Sequence, residues 1–253
     1  MLGLSALWAM WELELRRLRH DRLELYTRAV QPLLWIGVFG PIMGAIRAIP
    51  TGGIPYTSFI TPGVLIQSTT FVSIFYGLTI VWERESGILK KLLVTPASRA
   101  SLVVGRAMAA GVRAVVQALV IVPIALLVGV RFYPHPLYFL GALGVIFLSS
   151  GGFAALSMLV ASFLKTRERF MGIGQALTFP LFFASNALYP VAMMPKALQV
   201  FAQVNPMSYV VDAVRALIIT GDTSRLGTDL LAILAFDLLM FAVASASFRR
   251  IIE

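Results

Sequence analysis

The feature that most constrains this chain is a series of apolar runs, most of them about 20 residues or longer, separated by short segments that gather most of the charge. Coiled at about 1.5 Å per residue, such a run matches the ~30 Å hydrocarbon layer of a bilayer. Charged residues make up only 13% of the chain against 58% hydrophobic. An average soluble domain carries about 25% charge, roughly twice as much, to cover its surface. With lipid as the solvent, every backbone N–H and C=O must be paired within the spanning segment, and short polar connections favour helices. The predicted fold is therefore an all-α integral membrane bundle of six transmembrane helices in one domain over residues 1–253.

The spans are expected at 27–46, 56–82, 101–130, 137–164, 170–189 and 228–248. Residues 1–25 read differently. Leu4, Trp8, Trp11, Leu15, Leu18 and Leu25 recur at helical spacing, while Glu12, Arg16, Arg19 and Arg22 take the other faces. That pattern predicts an interfacial helix in the headgroup plane; a helix packed on a soluble partner fits the same stripe. In the first span, Gly40 and Gly44 at small-xxx-small spacing beside Pro32 and Pro41 suit either close helix approach or a kink. Residues 190–227 are apolar but broken by Pro195 and Pro206, and the piece from 207 to 220 is short for a crossing. They are expected to form short helices or a re-entrant hairpin on the outer side.

Charge placement sets the orientation. Of 21 Lys and Arg, only Arg47, Arg131, Lys196, Arg215 and Arg225 fall on one side of this topology. The richer side is cytoplasmic by the positive-inside rule, which puts both termini inside. The net charge of +9 is thus the mark of loops held against an anionic leaflet, and no basic face with interleaved aromatics suggests nucleic acid. No basic n-region with a small-residue cleavage site opens the chain, so no removable signal peptide is expected.

Several chemistries lack their residues. There is no cysteine, and His20 and His135 stand in separate loops without metal-ligand neighbours, so no metal site is expected. No Gly-x-x-x-x-Gly-Lys-Ser/Thr segment exists to cradle ATP phosphates. A membrane enzyme acting on lipids would need clustered His, Asp or Glu at one face, and none is visible. A proton- or ion-coupled transporter would need intramembrane carboxylates, for which Asp237 in the last span is the strong candidate. The other reading of Asp237, a buried structural hydrogen bond, is favoured.

The segment from Trp82 to Pro96 is the most informative. Glu83, Arg84 and Glu85 precede an apolar helical face of Ile88, Leu89, Leu92 and Leu93, which Pro96 ends. Such a helix either lies on the inner leaflet or docks in a groove of a cytoplasmic protein. Its pattern, Glu83-Arg84-Glu85-x-Gly87-x-Leu89-x-x-Leu92-x-x-x-Pro96-x-Ser98, resembles that of type-2 ABC transporter permeases. Two more segments resemble the same family: Asn205-Pro206-x-x-Tyr209-x-x-Asp212-x-x-Arg215 before the last span, and Phe179-Pro180-Leu181-x-Phe183-x-Ser185 late in the fifth. Asn186 stands where the family often has a small residue. The resemblance covers nearly the whole chain and points toward daunorubicin-type drug-resistance and nodulation-factor permeases. Leu148-Ser149-Ser150-Gly151-Gly152 superficially resembles an ATPase signature, but lies in an apolar run and reads as helix-packing residues.

The resemblance implies a permease subunit, not itself an enzyme, in the cytoplasmic membrane of a prokaryote. It implies two copies of a separate ATPase holding ATP and Mg, a second copy of this chain or a homologous permease, and surrounding lipid. No cofactor would be bound by this chain. Residues 83–96 would be a coupling helix that meets the ATPase through Glu83, Arg84, Glu85, Gly87, Ile88, Leu89, Leu92 and Leu93. The turn at Lys165, Arg167 and Arg169 would be a second contact. Asn205, Pro206, Tyr209, Asp212 and Arg215 would build the outer hairpin, where Asp212 and Arg215 stand one turn apart, as an ion pair or a solvated face. Phe39, Phe71, Phe75, Phe182 and Phe183 suit either a hydrophobic substrate path or ordinary packing.

Overall fold

The computed structural model describes residues 22–86, 99–164 and 166–252. Among the described residues there is no strand. In chain order the helices are α1 (Arg22–Leu34), a π-helical turn (Trp35–Phe39), α2 (Gly40–Ile46), α3 (Tyr56–Tyr76), α4 (Leu78–Glu85), α5 (Arg99–Leu127), α6 (Pro136–Phe163) and α7 (Arg167–Phe183). A 3₁₀ turn (Val191–Met193), α8 (Lys196–Val204), α9 (Pro206–Arg215), a second π-helical turn (Ala216–Thr220) and α10 (Leu226–Ile252) complete it.

Five helical stretches among the described residues are long and apolar enough to cross a bilayer: Thr27–Ile46, Tyr56–Arg84, Val103–Leu127, Pro136–Phe163 and Leu226–Ser247. They coincide with the expected spans 27–46, 56–82, 101–130, 137–164 and 228–248. The span expected at 170–189 is different. Helix α7 has 17 residues and stops at Phe183, after which residues 184–190 leave helical geometry.

The bundle is arranged around α3 and α6. Helix α6 packs on α10, α5 and α3, and α3 packs on α5 and α9. Nearly all of α3 is buried, from Tyr56 to Tyr76. The buried core it belongs to also holds Ile121 of α5, Ile146 and Phe153 of α6, Phe182 of α7, Val211 of α9 and Ile233 of α10. Outward, Leu127, Leu137, Leu231, Leu238 and Leu239 stand exposed in the isolated chain, Leu127 at 88%. Large aliphatics cover the outside because lipid makes no demand for polar surface.

Two irregularities follow from proline chemistry. In a regular helix the N–H of residue 41 would bond the carbonyl of residue 37, but Pro41 has none. The chain widens into the π turn, in which the Gly40 N–H bonds the Trp35 carbonyl. Gly40 also lies against α3, where a Cβ would come within 3.2 Å of Thr57 and Ile60 side chains. Of the two roles open for these glycines, close approach is seen at Gly40, beside a π turn that follows from Pro41. The loop at residues 47–55 turns on Gly52 and Gly53, both with positive φ, as its glycines predict.

Candidate functional site

Polar groups concentrate at opposite ends of the bundle. At the loop end, α7 gives way to the turn 184–190 beside α9. Asn205 caps α9 by accepting from the Met207 N–H at 3.0 Å, with Pro206 at the first helical position. Its amide also donates to the Leu181 carbonyl at 2.7 Å and the Ala184 carbonyl at 3.1 Å. The C-terminal carbonyls of α7 are thereby satisfied by a side chain instead of another helical turn, which explains why the helix ends at Phe183.

Arg215, only 8% exposed, crosses from α9 to the same turn. Its guanidinium donates to the Asn186 carbonyl at 2.7 Å, to the Phe59 carbonyl at 3.3 Å, and to Asp212 Oδ1 at 2.9 Å. It also lies 4.2 Å from the Phe59 ring centroid. The ion pair open at Asp212 and Arg215 is formed, and its arginine is buried, not on a solvated face. Tyr56 donates to the Leu188 carbonyl at 3.0 Å. Tyr209 donates to the Gln203 carbonyl, closing α8 onto α9. At Gly63 a Cβ would sit 2.5 Å from the Ala187 carbonyl, so the turn rests directly on the α3 backbone. The five residues expected in the outer hairpin are thus brought together. The contact at Asn186 uses its backbone carbonyl and does not depend on the side chain there.

At the opposite, arginine-rich end, α3 is interrupted at Gly77 and resumes as α4. Ser157 of α6 occupies the interruption, donating to the Ile74 carbonyl; a Cβ on Gly77 would lie 1.9 Å from its hydroxyl. Glu83 on α4 pairs with Arg106 of α5, and Arg84 is half-buried with Nη1 lacking a hydrogen-bond partner. Glu85 is the last residue of α4. Arg167, in the first turn of α7, lies 5.6 Å over the Trp82 ring, and Arg169 is exposed. Gly87, Ile88, Leu89, Leu92, Leu93 and Lys165 lie outside the described residues, as do residues 1–21 of the expected interfacial helix.

The five phenylalanines proposed for a path fall into two groups. Phe71 and Phe75 stack at 4.2 Å. Phe39 touches Trp35 at 4.7 Å, Trp35 touches Phe182 at 5.9 Å, and Phe182 touches Phe183 at 5.2 Å. Trp35 was absent from the sequence expectation, although its i,i+4 spacing to Phe39 carried the signal.

Asp237 corrects one expectation. It is 2% exposed, yet neither carboxylate oxygen has a hydrogen-bond partner among the described residues. The favoured structural hydrogen bond is missing because α6 presents Gly152 at the contact, where a Cβ would lie 1.8 Å from Oδ1. The Ser149–Gly152 stretch does act as a packing surface, facing Phe241 and Asp237 of α10. Gln117 is likewise buried with neither amide atom hydrogen-bonded among the described residues, while Arg113 lies 5.3 Å over the Tyr76 ring.

Residues 5–219 match the family described as ABC-2 type transporter. The chain belongs to the ABC-2 type transporter family. It is 27% identical over 252 residues to the transport permease ycf38 of Cyanophora paradoxa, across 94% of this chain and 85% of that protein. Nodulation protein J of Rhizobium leguminosarum bv. viciae is 26% identical, covering 85% of this chain and 83% of its own. The daunorubicin resistance ABC transporter permease of Streptomyces coeruleorubidus is 27% identical, covering 79% and 70%. As an ABC-2 chain with several apolar spanning helices, this protein is a multi-pass membrane permease of an ABC exporter. Membership implies an ABC ATPase partner and pairing of membrane subunits. The buried Arg215 network lies largely within the matched region, as do the Gly77 interruption and the Glu83–Arg106 pair.

Proposed function

We propose that this chain is the membrane-spanning half of an exporter that moves an amphipathic, drug-like or lipid or glycolipid substrate outward across the cytoplasmic membrane. A separate ATPase, which holds ATP and Mg, supplies the work. The reading rests on the family match over residues 5–219. In this reading the chain crosses six times, α7 and the turn after it making the fifth passage, and the arginine-rich end faces the cytoplasm with both termini. Residues 190–227 form the outer cap.

Force enters through Glu83, Arg84, Glu85 and the apolar face Ile88–Leu93, with Lys165, Arg167 and Arg169 as a second contact. Two permease chains and two ATPases form the working unit, with the substrate path between the permeases. Closure of the ATPases tilts the bundles as rigid bodies about their packed interfaces. Phe183 contributes apolar surface to the path and Phe39, Phe71 and Phe75 extend it, while Phe182, 1% exposed, packs in the core behind Phe183 and does not line it.

The test is co-purification of the tagged chain with the ATPases encoded beside it, comparing wild type with Glu83→Arg and Leu89→Asp. Retention of an ATPase by wild type and its loss in correctly folded variants is the expected result. A wild-type chain that never retains an ATPase removes the reading. One observation, the buried and unpaired Asp237, favours a proton- or ion-coupled transporter as a second reading. Transport that persists without any ATPase and disappears in Asp237→Asn would establish it.

A further inference from the structure

At the loop end, a cavity of about 460 Å³ lies between α2, the loop at 47–55 and the start of α3. Met43, Ile49, Ile54 and Tyr56 give its wall an apolar side, and Arg47 is the only charged residue lining it. The two hydroxyls of the wall are already engaged as donors, Thr51 to the Ile54 carbonyl and Tyr56 to the Leu188 carbonyl. The guanidinium of Arg47 is exposed and has no hydrogen-bond, ion-pair or ring partner among the described residues. The described acidic side chains of this end are engaged elsewhere. Asp212 pairs with Arg215 at 2.9 Å, Asp222 accepts from the Ser224 N–H at 3.0 Å, and Asp229, on α10, lies within electrostatic reach of Arg225. Arg47 is also the one non-glycine among the described residues with a positive φ, 55°. It closes α2 in the left-handed conformation that glycine takes without steric cost, so packing alone would favour glycine there. Tyr56 joins the cavity to a row of rings: it lies 6.3 Å from Phe39, which lies 4.7 Å from Trp35.

We propose that this cavity receives the oxyanion headgroup of an acidic amphipath, with the headgroup on Arg47 and the apolar chain along Phe39 and Trp35. The in-plane N–H groups of a guanidinium match the oxygens of a phosphate or carboxylate. Beside half-buried Met43, Ile49 and Ile54 that contact is screened less than in open water. Only the role as the exit end of the path rests on the reading under Proposed function, whose amphipathic substrate is thereby narrowed to one with an acidic head. The cavity and its free cation do not depend on that reading.

The chain has no cysteine, so Ile49→Cys places a single thiol in the cavity wall. The full chain carrying it, in phosphatidylcholine nanodiscs, is alkylated with an uncharged maleimide in the presence of dodecyl phosphate, dodecyl maltoside or inorganic phosphate. Dodecyl phosphate should slow the alkylation. Its half-protecting concentration should rise about tenfold in Arg47→Gly, as for loss of one charge-assisted hydrogen bond. Glycine suits the left-handed position, so this variant removes the side chain without straining the helix end. Arg131→Gln, in the next loop at the same end, should leave protection unchanged. Equal protection by inorganic phosphate would make this a free-anion site, and equal protection by the uncharged maltoside an apolar one; either overturns the proposal. So does alkylation that dodecyl phosphate does not slow when Arg47 is present, or undiminished protection in folded Arg47→Gly. No ATPase is needed, so failure here is distinct from failure to retain that partner.

Discussion

At the loop end, the carbonyls of Leu181, Ala184, Asn186 and Leu188 are each met by a donor from Asn205, Arg215 or Tyr56. At the arginine-rich end, the break at Gly77 is filled by a single hydroxyl from Ser157, and α4 is tied to α5 and α7 by an ion pair and a cation–ring contact. Both ends interrupt helices, but are held differently. An interruption met by several buried bonds from α3 and α9 is held in one arrangement, because each bond lost would expose an unsatisfied group. The second interruption is met across helices by the Ser157 hydroxyl and within its own turn by the Thr79 hydroxyl on the Tyr76 carbonyl, and the short helix after it is held by the buried side chains of Ile80 and Val81. The comparison assigns the cap to hydrogen bonds between residues far apart in sequence, and the segment bearing Glu83 to side-chain packing with one cross-helix hydroxyl and one ion pair.

The largest effect should come from breaking the cap. Arg215→Met removes a buried cation and leaves the Asn186 carbonyl unmet and Asp212 without its guanidinium. It is expected to cost about 3–5 kcal/mol, as for breaking a buried pair. Asn205→Ala should follow at roughly 2–3 kcal/mol, from a lost cap plus two donated bonds. Thermal unfolding in detergent, read by size-exclusion profile, checks both. If either variant unfolds like wild type, the cap is not held by these bonds.

A smaller effect is expected at the other interruption. Gly77→Ala places a methyl on the Ser157 hydroxyl and should destabilise by about 1–3 kcal/mol, the usual cost of overpacking. Combining it with Ser157→Ala should recover part of that loss. A coupling of about 0.5–3 kcal/mol in the double-mutant cycle would confirm that the two residues meet at the break. A comparable change in stability is expected for Glu83→Gln, about 1–3 kcal/mol, because it keeps a hydrogen-bonding amide but removes the counter-charge of the buried Arg106. ATPase stimulation by the permease should also fall several-fold in that variant. Unaltered stimulation would remove Glu83 from the coupling path and blur the contrast between the ends.

Much of this was readable in the chain itself. Uninterrupted apolar runs demand helices that satisfy their own backbone in lipid, and five of them emerge where their composition puts them. The prolines and glycines of the first span marked where it is distorted. The pairing of Asp212 with Arg215 was open from their spacing alone. At the end of α7, Pro190 and the bonds of Ser185 and Tyr189 to the Phe182 and Phe183 carbonyls act locally, but the partner of the Leu181 carbonyl could not be read from the segment. It is Asn205, 24 residues beyond Leu181, that captures its carbonyl. The reach of Arg215 to Phe59 spans 156 residues and left no periodic trace.

Asp237 marks the same divide from the other side. An unpaired carboxylate in an apolar run is costly in lipid, and Asp237 is 2% exposed against α6. Whether a donor would await it depended on which α6 residue stood opposite, and that residue is glycine. The amino-acid sequence alone determined the solvent, the helical class, the orientation signal and the family, because each depends on composition or on residues close along the chain. The tertiary structure decided which carbonyls are capped and where a hydroxyl enters a helix. Those outcomes turn on groups far apart in sequence, whose meeting is set by how whole helices pack.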